Sequence, residues 1–67
     1  MANIQQAGAW LEAGKQVRRS TWLHNARLKL DHFNLVRLLH DEGSVSHEQD
    51  FVLSVSDLIA DTWEIAD

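Results

Sequence analysis

Two segments near the ends of the chain constrain its fold more than any other part of the sequence. Residues 14–22 read Gly-Lys-Gln-Val-Arg-Arg-Ser-Thr-Trp, which is typical of a helix stop followed by a strand. Residues 57–65 read Asp-Leu-Ile-Ala-Asp-Thr-Trp-Glu-Ile, which is typical of a short capped helical turn followed by a last strand. Each segment places a large aromatic side chain beside charge. We therefore expect Trp22 and Trp63 to anchor the core or an interface.

The small size of the chain limits how it can be stabilised. Its 67 residues predict a single domain, residues 1–67, with a small core. There is no cysteine, so disulfides and thiolate metal sites are excluded. Aromatic packing and self-association remain as ways to stabilise the chain, and we expect a homodimer or a larger assembly. The lack of cysteine, of a signal peptide and of a long apolar run predicts a soluble cytosolic protein without a membrane partner.

Residues 3–13 are predicted to form one helix. Asn3 is a favourable N-cap, and one buried stripe follows at helical spacing, formed by Ile4, Ala7, Gly8 and Leu11. Gly14 is placed to end the helix in the left-handed conformation. Gly8 costs the helix about 1 kcal/mol relative to alanine, and we expect close packing on the sheet to compensate for it.

Short alternating segments after the helix predict an antiparallel meander. Strands are expected over residues 17–22, 26–31 and 35–40, with turns at 23–25 and 41–44. A fourth strand is expected through Phe51, Leu53 and Val55, then a helical turn over 56–61 and a last strand over 63–65. The predicted fold is α+β, with the N-terminal helix packed on an antiparallel sheet of about four to five short strands and a short helical turn before the last strand.

The net charge of −4 conceals an asymmetry between the two halves of the chain. Residues 1–37 carry six basic and two acidic side chains, whereas residues 38–67 carry eight acidic and no basic ones. One interpretation is that opposite charges neutralise each other across the sheet; the other is that the basic half forms an anion-binding patch. Direct binding of nucleic acid is not expected, because the total charge is negative and no DNA-reading motif is present.

The sequence shows no catalytic constellation, so no enzymatic activity and no cofactor are predicted. Neither a nucleophile elbow nor a glycine-rich phosphate loop is present. The four histidines lack the spacing of a helix-borne zinc site, and His40 and His47 are interpreted as solvated residues of loops or strand ends. No metal site is therefore predicted.

Arg18, Arg19 and Trp22 are the candidate ligand-binding residues. Alternation along a strand places Arg18 and Trp22 on one face and Arg19 on the other. An arginine fork binds phosphate or carboxylate bidentately, and a tryptophan beside it could stack on a purine base. The alternative for an arginine is an ion pair within the chain, with Glu12, Asp57 or Asp61 as partner.

The order of these pieces resembles a known family. The run Leu-x-x-Gly-Lys-x-Val-Arg-Arg-x-x-Trp over residues 11–22 and the run Asp-Leu-x-Ala-Asp-x-Trp-Glu-Ile over residues 57–65 look like the Thoeris anti-defence type 2 family of small phage proteins. Both ends of the chain carry the resemblance, and the middle shares only the order of elements. The chain departs from the family after Trp22, where residues 23–26 read Leu-His-Asn-Ala instead of a run with glycines and a lysine.

The resemblance implies a phage-encoded protein that acts in the host cytoplasm against bacterial immunity. It implies a homo-oligomer that sequesters a cyclic nucleotide signal by stoichiometric binding, without cleaving it, through Arg18, Arg19 and Trp22. The alternative is an acidic protein–protein inhibitor of a host nucleic-acid enzyme, such as a CRISPR nuclease or RNA polymerase. The acidic residues of 38–67 would then imitate nucleic acid and reach a basic host surface.

Overall fold

The fold is α+β, as the sequence predicts. The computed structural model describes residues 2–22 and 25–66. Its elements, in chain order, are α1 (Ile4–Glu12), β1 (Val17–Arg19), β2 (Arg27–Leu30), β3 (Val36–Glu42), β4 (Val45–Asp50), α2 (Val55–Ile59) and β5 (Trp63–Ile65). The five strands form one antiparallel sheet in the order β4-β3-β2-β1-β5. Of the predicted turn at 23–25, Leu23 and His24 lie outside the described residues.

Both ends of α1 are fixed by local hydrogen bonds. The side chain of Asn3 accepts from the backbone N–H of Gln6 at 3.0 Å, which satisfies one of the first-turn donors. At the other end Gly14 has a φ of +87°. The N–H of Gly14 donates to Leu11 and that of Lys15 donates to Trp10, both at 3.0 Å, as in a Schellman motif. The predicted helix boundaries are thus confirmed to within a residue.

The core lies between α1 and the centre of the sheet. Its buried side chains come from α1 and from three strands, and they are Ala7, Leu11, Val17, Leu28 and Trp63. Gly8 is the exception to the predicted stripe, because no atom lies within 4 Å of the position that a Cβ would occupy there. The expected close packing of Gly8 on the sheet is therefore wrong; Gly8 instead borders an apolar groove beside Leu11 and Val36.

The predicted fourth strand is wrong. The strand that pairs with β3 is β4, whereas residues 51–54 are irregular and Val55 begins α2. Every residue of β4 is exposed, so the strand has no buried face and no apolar alternation to reveal it. A two-residue turn sets its pairing instead: Gly43, with a φ of +64°, occupies the first central position, as in a type II′ hairpin.

Strand β1 is shorter than predicted. It ends at Arg19, and the N–H of Trp22 then donates to the carbonyl oxygen of Arg19 at 3.0 Å, which closes a turn. The alternation expected up to Trp22 is lost there, with consequences for the candidate site. Among the described residues, no helix is both long enough and apolar enough to cross a membrane.

Candidate functional site

The sheet presents two chemically different faces. The register places Val17, Arg19 and Trp63 on the face shared with α1, because Arg19 lies directly opposite Trp63. The other face carries four basic side chains from three neighbouring strands, namely Arg18, Arg27, Lys29 and Arg37. We call this second surface the open face. Arg18 and Arg19 therefore lie on opposite faces, as strand alternation predicts.

Arg19 forms an ion pair with Asp57 that joins β1 to α2. Its Nη1 lies 2.9 Å from Oδ1 of Asp57, and the two side chains are 19% and 12% exposed. Nε of Arg19 also donates to the hydroxyl of Thr62 at 3.4 Å. Of the three intramolecular partners that the sequence allows for an arginine, Asp57 is the one that Arg19 contacts.

Asp57 has a second role in capping α2. Its side chain accepts from the backbone N–H and the hydroxyl of Ser54, at 3.2 and 2.8 Å, and its own N–H donates to that hydroxyl. Burial acts to raise the pKa of Asp57, but the hydrogen bonds from Arg19 and Ser54 outweigh it and hold the pKa below its usual value. The carboxylate is thus charged at neutral pH and is shared between a capping box and an arginine.

Trp22 lies on the face of α1 and not on the face of Arg18, which corrects the predicted alternation. The turn after Arg19 rotates its ring toward Trp63, with ring centroids 5.5 Å apart in an edge-to-face contact, and toward Phe51 at 5.9 Å. Aromatic pairs favour such geometry. Trp22 is only half-buried, so one part of its ring remains open to a neighbouring cleft.

This cleft is formed by described residues and adjoins Trp22, one of the three predicted residues. It has a volume of about 290 Å³ and is lined by Trp22, Ala26, Leu38, Phe51 and Asp57. Its walls are mainly apolar or aromatic, and its charged lining residue is Asp57, which is ion-paired to Arg19. We refer to it as the Trp22 cleft. A planar aromatic group with a polar edge matches this lining.

Arg18 approaches the same region from the open face. Its Nε donates to the carbonyl oxygen of Arg19 at 3.3 Å, and its Nη2 makes a close contact with the carbonyl oxygen of Trp22. The guanidinium therefore closes the turn that ends β1. Of the three predicted residues, Trp22 lines the cleft, Arg19 is connected to it through the ion pair with Asp57, and Arg18 contacts the backbone of the turn.

Two other basic residues of the open face, Arg27 and Arg37, are paired with acidic ones. Nη1 of Arg27 lies 3.5 Å from Oδ2 of Asp41. Nε of Arg37 lies 3.5 Å from Oε1 of Glu48, and Nη1 of Arg37 contacts Oδ1 of Asp50. These contacts join the basic first half of the chain to the acidic second half, which supports the interpretation that the charges neutralise each other across the sheet. Among the described residues, Lys29 has no acidic partner within ion-pair distance.

A cluster that the sequence does not predict lies at the β3–β4 hairpin. His40 and His47 are strand residues directly opposite each other, and Glu42 follows on the same face. The imidazole rings stack with centroids 4.8 Å apart, and Glu42 lies 3.7 Å from Nε2 of His47. The available signal was the Gly43–Ser44 turn, because a two-residue turn at that point fixes His40 opposite His47.

Comparison with models of protein families and with curated proteins gives no match to this chain. The resemblance to a phage anti-defence family accordingly stays a prediction based on the two terminal segments.

Proposed function

We propose that the chain is a phage-encoded, non-enzymatic antagonist of host defence that acts in the host cytoplasm by stoichiometric binding. In its specific form, the protein sequesters a cyclic nucleotide signal. The observation that carries this proposal is the Trp22 cleft, where a partly open indole and a second aromatic ring line one concave surface and an arginine is ion-paired to the aspartate that lines it. Stacking on a base and charge for a phosphate are the two interactions that a nucleotide requires.

In this proposal each of the three candidate residues makes a different contribution. Trp22 would contact the base, because its ring lines the cleft. Arg19 makes two side-chain hydrogen bonds with the described residues, and a guanidinium has five N–H donors, so donors remain for a phosphate without loss of the Asp57 contact. Arg18 would contribute charge from behind the turn.

The size of the cleft favours a shared site. Its volume of about 290 Å³ lies at the lower limit of small-molecule pockets, which span about 300–1,000 Å³. One protomer therefore accommodates a single base more readily than a whole cyclic dinucleotide. A second copy of the chain, which the small core also favours, would supply the remaining walls.

The proposal is tested by titrating the purified protein with a panel of cyclic mononucleotides and dinucleotides. We expect one nucleotide to raise the unfolding temperature, to quench tryptophan fluorescence, and to be recovered unchanged by chromatography. Trp22→Phe should remove most of the quenching, and Arg18→Gln should weaken binding. Lys15→Gln is the matched control, since it removes one exposed positive charge away from the cleft. Titrations without any response across the panel would contradict the proposal.

A second candidate function is protein–protein inhibition through the acidic residues of 38–67. The exposed edge strand β4 favours this function. Asp50, the last residue of β4, is 83% exposed, and Glu42, the last residue of the neighbouring strand β3, is 81% exposed. Glu42→Lys with Glu48→Lys should abolish inhibition of a host nucleic-acid enzyme while the fold is retained. The control is Asp61→Lys with Glu64→Lys, which makes the same charge change on exposed residues at the other end of the sheet. Equal inhibition by both double variants would exclude β4 as the inhibitory surface.

A further inference from the structure

The β3–β4 hairpin gathers three side chains with metal-binding chemistry. One nitrogen each of His40 and His47 and one carboxylate oxygen of Glu42 lie within 4.8 Å of one another. The three residues come from the two strands on either side of a two-residue turn, so the pairing register fixes their relative positions. This grouping does not depend on the Trp22 cleft or on the proposed function.

The surroundings leave these three groups available. The next acidic side chain, Asp41, lies on the opposite face of the sheet, where it contacts Arg27 and Ser46. Glu48 also lies on that face and contacts Arg37. Glu42 therefore is the carboxylate on the side of the two histidines, and no arginine or lysine contact competes for it among the described residues.

The distances allow chelation after a small adjustment. A tetrahedral Zn²⁺ ion holds nitrogen and oxygen ligands at about 2.0–2.2 Å, which corresponds to about 3.4 Å between ligand atoms. The present separation of up to 4.8 Å must shrink by more than an ångström. Glu42 and His47 are 81% and 45% exposed and can rotate without disturbing the core. The stacked imidazoles must tilt, because the nitrogen lone pairs lie in the ring planes.

We propose that His40, Glu42 and His47 form a binding site for a divalent transition-metal ion, with Zn²⁺ as the principal candidate. Two imidazoles and one carboxylate are a donor set that Zn²⁺ accepts with a fourth position left for water or a further ligand. Hard, all-oxygen-coordinated ions such as Mg²⁺ and Ca²⁺ are disfavoured by the imidazoles. A bound ion would join β3 to the exposed edge strand β4 and stabilise the hairpin.

The test is calorimetric titration of the protein, prepared without a histidine tag, with ZnCl₂. We expect saturation at one ion per chain and a rise in unfolding temperature. His47→Ala and His40→Ala should each weaken binding at least about tenfold, since loss of even an outer-shell partner costs about 10–100-fold. Glu42→Gln should also weaken Zn²⁺ binding. Co²⁺ should give visible absorption typical of a low-coordinate site, and MgCl₂ should give no saturable signal.

His32→Ala is the matched control, because His32 is an exposed histidine of the β2–β3 connection. It should bind Zn²⁺ like the parent protein. The β4 position of His47 is exposed, so its variant should remain folded, and far-UV circular dichroism checks this. A dissociation constant for Zn²⁺ above about 1 mM would overturn the proposal. Equal losses of Zn²⁺ affinity in His32→Ala and His47→Ala would overturn it as well.

Discussion

The Arg19–Asp57 ion pair should stabilise the fold far more than the ion pairs at the sheet edge do. The perturbation is a double-mutant cycle of Arg19→Gln and Asp57→Asn. Asp57→Asn removes the charge and keeps the shape of the side chain, whereas Arg19→Gln replaces the guanidinium with a shorter, uncharged polar group. Hydrogen bonds to charged groups contribute about 1.5–3 kcal/mol, whereas exposed ion pairs contribute about 0.2–1 kcal/mol. The two side chains are 19% and 12% exposed, so we expect a coupling free energy of about 2 kcal/mol.

That magnitude is large for a chain of this length. At about 0.05–0.15 kcal/mol per residue, 67 residues give a total stability of only about 3–10 kcal/mol. A loss of about 2 kcal/mol in Asp57→Asn corresponds to a fall of about 8–16 °C in the unfolding midpoint. The aspartate also caps α2, and the asparagine retains an oxygen acceptor for Ser54, so the cycle isolates the charge interaction from the cap.

Urea unfolding followed by tryptophan fluorescence measures the cycle. Trp63 is a local reporter, since its indole N–H donates to the carbonyl oxygen of Asp57 at 3.1 Å. The control is the cycle of Arg37→Gln and Asp50→Asn, whose aspartate is 83% exposed and for which we expect about 0.2–1 kcal/mol. A coupling for Arg19 and Asp57 no larger than the control value would refute the reasoning.

The pH dependence of the unfolding free energy is a second measure of the Arg19–Asp57 pair. The pKa of folded Asp57 is lowered from its ordinary value of 3.8, so the folded state binds the proton less readily than the unfolded state. The stabilisation is therefore fully present well above pH 3.8 and is lost as the pH falls through that value toward the lower folded pKa. We expect the stability difference between the parent protein and Asp57→Asn to be constant near neutrality and to shrink below about pH 4.

Three further substitutions test the packing and the turns, each by urea unfolding. Gly8→Ala should stabilise the protein by about 0.5–1 kcal/mol, because the site is helical and the added methyl group meets open space; destabilisation would show hidden crowding. Gly43→Ala should destabilise by about 1–2 kcal/mol through its φ of +64°, and an unchanged stability would argue against the assigned turn. Leu28→Ala, at a buried central-strand position, should cost about 2–5 kcal/mol, whereas a loss under about 1 kcal/mol would mean that the core collapses around it.

The sequence predicts those parts of the fold whose determinants are local. Asn3 and Gly14 act within one turn of the helix ends, so both boundaries of α1 could be predicted. Strand β4 has no such signature, because all of its residues are exposed and its place follows from the hairpin turn. The apolar residues at 51–55 resembled a strand, yet Val52 is 84% exposed and Val55 begins a helix.

The candidate site depends on contacts that are distant in sequence. Arg19 and Asp57 are 38 positions apart, and the sequence restricts the partner of Arg19 to a few acidic residues without selecting one. The face of Trp22 could not be predicted by alternation, since the turn closed by its hydrogen bond to Arg19 interrupts the strand. The proximity of His40 and His47 follows from the register of the β3–β4 hairpin, which their spacing in the sequence does not specify.

The placement of charge separates the two proposed functions in space. Arg27 and Arg37 already contact acidic partners, which offset the positive charge of both residues. An incoming phosphate is therefore favoured near Arg18 and the Trp22 cleft, where the acceptors of Arg18 are uncharged carbonyl oxygens. The acidic residues of β4 belong to another part of the sheet. Because the surfaces are distinct, Arg18→Gln, which should weaken nucleotide binding, should leave unchanged any inhibition that depends on β4.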